Sequence, residues 1–287
     1  MNKPVMPVLS FHHVCTRMKY HTRWIVFQCM AFLPLIGMAT CSRPINAPMS
    51  AIGLSVIVKN EKVSGGVYPD LLDTLTKQAG CSFVVKVVPR ARLERLFATG
   101  DADILIPAVQ NHERDAVGIF VPMSYSRATL ISLQSGRKPI TTAKALLERK
   151  DLMVAVVRGY GYGPAYDDLT HQLERQGRLL YESDPQGVAR QLQRGSAQIT
   201  IMAPSILAGS IQEDGLLKGF TEKLRYEPIE ELPWSENGAY ISKTSLSEAD
   251  QNILRAMLEK AAQSGAVWRG LKQYYSPAVL KESFRPR

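Results

Sequence analysis

The residue best placed for ligand chemistry is an arginine that follows the strongest strand signal in the chain. Residues 100–103 predict a turn, residues 104–106 predict a buried central strand, and the polar loop after them ends at Arg114. Ligands of open α/β sheets bind beyond the carboxyl ends of the strands, so this order places a cation at the edge of a cleft. The planar guanidinium suits a bidentate contact to a carboxylate. A surface ion pair with Glu113 or Asp115 is the alternative.

A glycine-rich loop at 159–163 is the second candidate for ligand binding. Glycines between a predicted strand and a predicted helix let backbone amides approach an anion. The loop lacks the lysine and serine of a P-loop, and it is incomplete as a dinucleotide fingerprint. It therefore predicts that amides and the rings of Tyr160 and Tyr162 face a small ligand. A plain flexible turn is the alternative.

Two arginines, Arg90 and Arg92, open a predicted helix. Positive charge at this end of a helix is unfavourable against the helix dipole, so these residues need an explanation. One interpretation turns Arg92 toward the cleft as a second contact to an anion. The other is a salt bridge of these arginines with Glu94 or Asp70.

Residue sets for catalysis or metal binding are poorly represented. Only His112 and His171 lie beyond residue 41, which argues against a zinc cluster or a histidine-based triad. No Gly-x-Ser-x-Gly nucleophile motif is present, and helix caps and solvated turns account for most of the acids. We predict no catalytic residue, no metal ligand and no cofactor.

Residues 1–41 are typical of a secretory leader, because basic residues precede an apolar run at 24–38. Met18 is a second candidate for the start of translation. The apolar run is short for a membrane span and polar residues follow it closely. We therefore expect a soluble periplasmic protein.

Cysteine usage limits the covalent options. Beyond residue 40 the sequence contains Cys41 and Cys81, so at most one disulfide forms in the mature chain. Residues 38–41 loosely match a lipoprotein cleavage box, and ordinary cleavage after Ala47 is the competing exit. Lipid attachment of Cys41, its pairing with Cys81 and its removal all stay open, with lipid attachment not favoured.

Composition excludes other classes of protein. A length of 287 residues with 45% hydrophobic and 21% charged residues suits one large or two modest folded domains. The net charge of +9 includes four basic residues of the leader. Nucleic-acid binding would require a basic stripe with interleaved aromatic residues, so we predict no nucleic-acid partner.

Strand and helix signals alternate along the chain, which predicts parallel sheets of the α/β class. Gly80 and Gly100 end the first two helices, Asp184 caps a later one, and Ser245 with Glu248 forms a capping box for the last. The segment 96–108 is echoed at 192–204, which indicates two similar lobes. Strands are predicted at 52–58, 83–88, 104–106, 129–133, 152–157, 179–181, 199–202 and 238–242.

Five short motifs follow the leader in order: GGVYPDLL at 65–72, VPRARL at 88–93, GDAD at 100–103, Glu113 with Arg114, and Phe120. In order and spacing they resemble family 3 of the bacterial extracellular solute-binding proteins, over nearly all of the chain after the leader. The resemblance implies a two-lobed type II periplasmic binding protein fold of the α/β class. Each lobe is a mostly parallel sheet flanked by helices, and two crossing strands join the lobes. Lobe 1 is expected at 42–134, lobe 2 at 135–235, and a return strand with C-terminal helices that pack on lobe 1 at 236–287.

The resemblance also assigns site residues. Arg114 matches the carboxylate-binding arginine of the family, Gly161 and Tyr162 match the donor loop of the second lobe, and Gln110 matches a hydroxyl contact. The chain departs from the amino-acid binders at Ala203, where they place the acid that receives the ligand's ammonium group. The aromatic-proline loop that opens the first lobe is also replaced, by residues 48–53.

The departure at Ala203 changes the expected ligand. A buried ammonium without a partner is costly, so an anionic metabolite is favoured over a standard amino acid, although another acid such as Glu236 could substitute. The predicted ligand-binding residues are Arg114, Gln110, Ala108, Tyr160, Gly161, Tyr162, Ala203 and Arg92.

The resemblance implies a monomeric periplasmic receptor that is not an enzyme. It would close on a small anionic metabolite by a hinge motion and deliver it to an ABC-transporter permease. A sensor that signals to a membrane partner is one alternative. The other is a periplasmic dehydratase of the cyclohexadienyl type, a class that the fold also resembles and in which a cleft acid moves a proton.

Overall fold

The computed structural model describes residues 40–217 and 219–287. The apolar run of the predicted leader and the alternative start at Met18 lie outside the described residues. Within the described ranges, no helix is long and apolar enough to cross a membrane.

Strands and helices alternate through most of the described chain. The strands are β1 (Ile45–Asn46), β2 (Ile57–Lys59), β3 (Lys62–Gly65), β4 (Phe83–Val84), β5 (Ile104–Val109), β6 (Gly118–Ser126), β7 (Thr129–Leu133), β8 (Val154–Val157), β9 (Leu179–Glu182), β10 (Ile199–Met202), β11 (Leu224–Glu227), β12 (Ser235–Ser242) and β13 (Phe284–Pro286). The helices are α1 (Val67–Ala79), α2 (Arg90–Ala98), α3 (His112–Val117), α4 (Ala143–Glu148), α5 (Pro164–Arg175), α6 (Pro185–Arg194), α7 (Pro204–Glu213), α8 (Glu248–Gln263), α9 (Ala266–Tyr274) and α10 (Pro277–Ser283).

Local sequence explains where the helices begin and end. In α1 the buried residues Leu71, Leu72 and Leu75 share one face, and Gly80 ends the helix in the left-handed conformation with φ of 70°, which glycine adopts at little cost. At the start of α6 the Asp184 side chain accepts a hydrogen bond from a backbone amide of the first turn. These helix signals are confirmed.

Two main sheets form the cores of the two lobes. In the second lobe the strand order is β11-β7-β10-β8-β9, with β8, β9 and β10 parallel and β7 and β11 antiparallel. In the first lobe the order is β13-β6-β12-β5, and neighbouring strands are antiparallel, whereas we predicted a mostly parallel sheet. The reason is that β12 returns from the second lobe and inserts between β5 and β6, which run parallel to each other but do not pair. Strands β1 and β4 add a parallel pair to the first lobe, and β2 and β3 form a hairpin.

The first crossing between the lobes lies earlier than we expected. We placed residues up to 134 in the first lobe, but β7 pairs with β10 and β11 in the sheet of the second lobe. The chain therefore crosses at 127–128, between β6 and β7. Leu130 and Ile131 are buried, and both lie in the register of β7 opposite residues of β10 and β11.

The strand at 104–109 is not central in its sheet. β5 is the edge strand of the four-stranded sheet, although its six residues are all buried. Helix α2 packs against it, and the carbonyl of Asn46 in β1 accepts a hydrogen bond from the amide of Asp103 just before it. The run of apolar residues predicted that this strand is buried, but it did not indicate whether the strand is central or at the edge of the sheet.

The predicted cap of the last long helix is shifted by two residues. Ser247, not Ser245, caps α8 by accepting a hydrogen bond from the amide of Asp250. The Ser245 hydroxyl donates instead to the carboxylate of Asp103 at 2.7 Å. The predicted extended segment 52–58 is likewise reduced to β2 and a turn before it.

A disulfide joins Cys41 to Cys81, so the structure contains the paired alternative among those that the sequence left open. The residues beside it are also held to the first lobe. Ser42 binds the carboxylate of Asp250 through its amide and hydroxyl, and Arg43 makes a bidentate contact to Asp103. The start of the described chain is therefore anchored by covalent and ionic contacts.

We expect removal of this disulfide to destabilise the protein. The bond closes a loop of 40 residues, and a loop of that length gives a stabilisation of about 4 kcal/mol if the effect is entropic. The change Cys41→Ser should lower the free energy of unfolding in urea by that order, and dithiothreitol should then have no further effect. Equal urea midpoints for wild type and variant under oxidising conditions would contradict the assigned pairing.

Candidate functional site

A small cavity lies where the two lobes meet. Its volume is about 50 Å³, which holds no more than a few water molecules. The walls come from the end of β5, the loop after β8, the start of α7 and the crossing strands β6 and β12. Among the described residues that line it, Arg90 is the only charged one.

Close backbone contacts hold the lobes together around this cavity. Gly159 has φ of 85°, and a Cβ atom there would lie 2.7 Å from the Cα of Ala91 at the start of α2. A Cβ atom on Gly53 would lie 2.9 Å from the carbonyl oxygen of Ser205 in α7. Only glycine permits these approaches, so the structure is a closed arrangement of the lobes.

Two tyrosines of the glycine-rich loop face the cavity. The Tyr162 hydroxyl accepts a hydrogen bond from the amide of Ala203 at 3.3 Å, whereas the buried Tyr160 hydroxyl has no partner among the described residues. Burial raises the pKa of Tyr160 well above its usual value and raises the pKa of Tyr162 as well. Both hydroxyls are therefore neutral, and that of Tyr160 is available to a ligand.

A carboxylate shared by two arginines lies beside the cavity. Glu94 Oε1 contacts Arg90 Nε at 2.7 Å and Nη2 at 2.6 Å, and Glu94 accepts from Arg114 Nε at 3.0 Å and Nη2 at 2.9 Å. Arg90 and Arg114 are only 5% and 7% exposed. Burial opposes ionisation of Glu94, but the charges and hydrogen bonds of both arginines outweigh it and hold its pKa below the usual value.

We call these three residues the Arg90–Glu94–Arg114 cluster. With Glu94 ionised, its net charge is +1. Each guanidinium also donates to a backbone carbonyl, from Arg90 to Pro107 at 2.9 Å and from Arg114 to Val109 at 2.6 Å. A guanidinium carries five N–H groups, so each arginine keeps donors beyond these contacts.

Five of the predicted ligand-binding residues line the cavity: Ala108, Tyr160, Gly161, Tyr162 and Ala203. Arg114 does not line the cavity. It lines a neighbouring groove together with Gly161 and Asp167. Its ion pair is with Glu94 and not with the residues beside it in sequence that we considered as alternatives.

Arg92 is placed differently from our prediction. It is exposed and does not line the cavity, and Arg90 takes the position that we expected for it. Residues two apart on a helix point roughly 200° away from each other, so burial of Arg90 turns Arg92 to solvent. The alternative salt bridge to Glu94 is present, and Arg90 makes it.

Two further predicted polar contacts do not face the cavity. The side chain of Gln110 is exposed, and its amide donates to the carboxylate of Asp115 at 3.2 Å. Glu236, the substitute acid for a ligand ammonium, does not line the cavity. Its carbonyl accepts a hydrogen bond from the amide of Gln110 instead.

Sequence reasoning missed several cavity residues. Tyr68 belongs to the motif at 65–72, which was used for the resemblance but not for the site. Its hydroxyl accepts a hydrogen bond from Asn237 Nδ2 at 3.0 Å, deep between β12 and α1. Nothing in the sequence brings Asn237 to this place, because the contact joins residues 169 positions apart.

Phe284 is another cavity residue that the sequence did not predict. It lies in β13, which pairs with the end of β6, and its ring contributes to the wall. The neighbouring Ser283 hydroxyl accepts a hydrogen bond from the amide of Ser205 at 2.7 Å. The C-terminal helices α8 and α9 pack on elements of the first lobe, where we predicted the C-terminal helices to lie, and α10 also contacts α7 of the second lobe.

No protein-family model and no curated protein sequence matches this chain. Solved structures match it in fold. An amino acid ABC transporter substrate-binding protein from Streptococcus pneumoniae, bound to L-arginine, has a TM-score of 0.64 and 15% identity, covering 82% of this chain and 94% of that one. A putative L-cystine ABC transporter from Listeria monocytogenes has a TM-score of 0.64 and 16% identity, covering 82% and 97%.

A histidine kinase sensor domain with similarity to periplasmic binding proteins also matches, with a TM-score of 0.64 and 13% identity, covering 82% of this chain and 96% of that one. At such identities the likeness shows the fold alone. The chain thus has the two-lobed α/β fold of periplasmic binding proteins, as its sequence predicted.

Acid should weaken the protein partly through Glu94. Its pKa is lowered in the folded state, so its stabilising effect is present above the ordinary glutamate value of 4.5 and is lost as the pH falls below it. We expect the melting temperature of Glu94→Gln to fall less steeply between pH 5 and pH 3 than that of wild type. Glu259→Gln, which removes an exposed partner of Arg255, should keep the wild-type slope. Parallel curves for all three proteins would contradict the assignment.

Proposed function

We propose that this protein is a receptor that captures a small organic anion without an ammonium group in the cleft between its lobes. The observation that carries the proposal is the charge of the cavity wall. Among the described residues that line the cavity, Arg90 is the only charged one, and the cluster behind it has a net charge of +1. A carboxylate would be paired there, whereas an ammonium group would meet no acid among the described residues that line the cavity.

The remaining lining describes the rest of the ligand. Ile52, Ile206 and Phe284 present apolar side chains to the cavity, and the unpartnered hydroxyl of Tyr160 supplies one polar contact. Small-molecule sites combine mostly apolar walls with a few such polar groups. The lining supports an acid with a short apolar body. Ser55, Ser126 and Asn237 also line the cavity and offer further polar contacts.

Ligand entry requires the lobes to separate. A volume of about 50 Å³ is too small for an organic acid and its closest waters, and the contacts of Gly53 and Gly159 close the sides. Hinge motion about the two crossing strands is the ordinary way in which such folds open. The closed arrangement is therefore the state that a bound ligand would stabilise, after adjustment of the walls.

Comparison with the structural neighbours supports the receptor class. One neighbour is described as an amino acid ABC transporter substrate-binding protein. For this chain we propose the same place in transport: a monomer in the periplasm that delivers its ligand to an ABC-transporter permease. The Cys41–Cys81 disulfide supports an oxidising compartment, and the predicted leader supports export.

Two alternatives remain distinct in their chemistry. The match to a histidine kinase sensor domain favours a sensor as the second candidate, which binds the same ligand but acts on a membrane signalling partner. Uptake that depends on a permease separates transport from sensing. A dehydratase would need a cleft acid to move a proton, and no acid is among the described residues that line the cavity.

We expect short organic acids without an amino group to stabilise the protein. A ligand at a hundred times its dissociation constant adds about 2.7 kcal/mol to stability, which raises the melting temperature by about 5–10 °C for a protein of this size. A thermal-shift screen would compare organic acids, amino acids and polyamines. Stabilisation by amino acids and not by the acids would contradict the proposed ligand class.

Two arginine variants provide a matched test of where a screened acid binds. Arg90→Ala removes the charged wall residue, whereas Arg92→Ala removes an exposed arginine from the same helix. We expect the first change to abolish the thermal shift and the second to preserve it. Loss in both variants, or in neither, would place the acid elsewhere.

The change Ala203→Asp should admit amino acids. Ala203 is the N-cap of α7 and has no side-chain cap, and aspartate is favoured at that position. The added carboxylate would supply the partner that a ligand ammonium lacks. We expect a thermal shift with amino acids in this variant and none in wild type, with Ala203→Asn as the uncharged control. No gain in a folded Ala203→Asp protein would reject the role given to this position.

A further inference from the structure

We propose that Glu94 determines the charge of the ligand that the cleft accepts. By pairing with two arginines at once it leaves the Arg90–Glu94–Arg114 cluster one positive charge, so the site selects monoanions over dianions. This inference rests on the proposed function, because it concerns the same cleft. It assigns a role in ligand selectivity to a residue that does not need to contact the ligand.

The contacts hold Glu94 in a fixed position behind Arg90, which is the charged residue of the wall. Each of its oxygens accepts from at least one guanidinium at 3.0 Å or less. Its side chain is 23% exposed, whereas both arginine side chains are less than a tenth exposed. A carboxylate held in this way behaves as a built-in counter-ion, and two buried arginines without it would repel each other.

Charges near the cluster do not replace this effect. The groove beside Arg114 is also lined by Arg95, Glu113 and Asp167. Arg95 and Glu113 are exposed and Asp167 is half-buried, so solvent and salt screen their charges. Arg90 faces the cavity directly, and Glu94 is the carboxylate in contact with it.

Charge matching explains the expected selectivity. An anion that enters the cavity loses water, and the loss is larger for a dianion than for a monoanion. One net positive charge compensates a monoanion fully but leaves a dianion with excess negative charge. Glutamine in place of Glu94 keeps the size of the side chain and raises the net charge of the cluster to +2.

The test uses two probes of similar shape, sulfate and methanesulfonate, which differ by one charge. Calorimetric titration at constant ionic strength in a low-chloride buffer gives the ratio of their affinities. We expect Glu94→Gln to raise the ratio of sulfate to methanesulfonate affinity by about tenfold or more over wild type. Glu259→Gln, the same change at an exposed arginine pair, should leave the ratio unchanged.

A double variant that restores the net charge of the cluster tests whether charge is the cause. Glu94→Gln with Arg114→Gln returns the cluster to a net charge of +1, and the ratio should return toward the wild-type value. Arg114→Gln alone lowers the net charge to zero, so the ratio should fall below wild type. That single variant keeps the test decisive if Glu94→Gln does not fold.

The outcomes separate this inference from the proposed function. An unchanged ratio in folded Glu94→Gln or Arg114→Gln protein overturns the inference, as does the absence of binding of either probe to every variant. A charge-dependent ratio together with an organic-acid screen that fails supports the role of Glu94 and rejects the proposed ligand class. A successful screen with an unchanged ratio rejects the role of Glu94 alone.

Discussion

Burial of two arginines beside one cavity is the constraint on which the cleft depends. Arg90 and Arg114 lose most of their water, and without a partner they would repel each other strongly. Glu94 relieves that repulsion, and the carbonyl groups of Pro107 and Val109 bind further N–H groups. The end of β5 and the starts of α2 and α3 are thereby tied together on the first-lobe side of the cavity.

The second lobe meets this wall mainly through backbone. Gly159 approaches Ala91, and Gly53 approaches Ser205, at distances that exclude a side chain. Tyr160 and Tyr162 occupy the space between the lobes, and their hydroxyl groups are neutral. Arg90, the only charged residue among the described residues of the cavity wall, thus belongs to the first lobe, and the second lobe supplies shape and single polar groups. Closure can change the volume of the cavity without changing its net charge.

The sequence predicted the fold class and most elements, because apolar spacing, glycine stops and proline starts are local signals. It failed where the position of a strand depends on pairing with strands that are distant in sequence. The position of β5 at a sheet edge and the place of β7 in the second lobe follow from pairings that no local pattern contains. At the site, five lining residues were predicted. Arg92 was chosen over Arg90, although Arg90 shares the buried face of α2 with Leu93 and Phe97. Asn237 and Phe284 reach the cavity through long-range pairing, and the shared contact of Glu94 is visible only once α2 and α3 are side by side.

The order of strands in the first lobe has a consequence for how the chain folds. Strands β5 and β6 are neighbours in sequence but do not pair with each other; both pair with β12, which follows the entire second lobe. Until β12 emerges, the inner edges of these apolar strands have no partner, and such edges invite pairing with other chains. Long-range pairing of this kind also slows folding. The first half of the chain would therefore need protection from such pairing until the last quarter is available, and the part of the cavity that β6 and β12 build would form late.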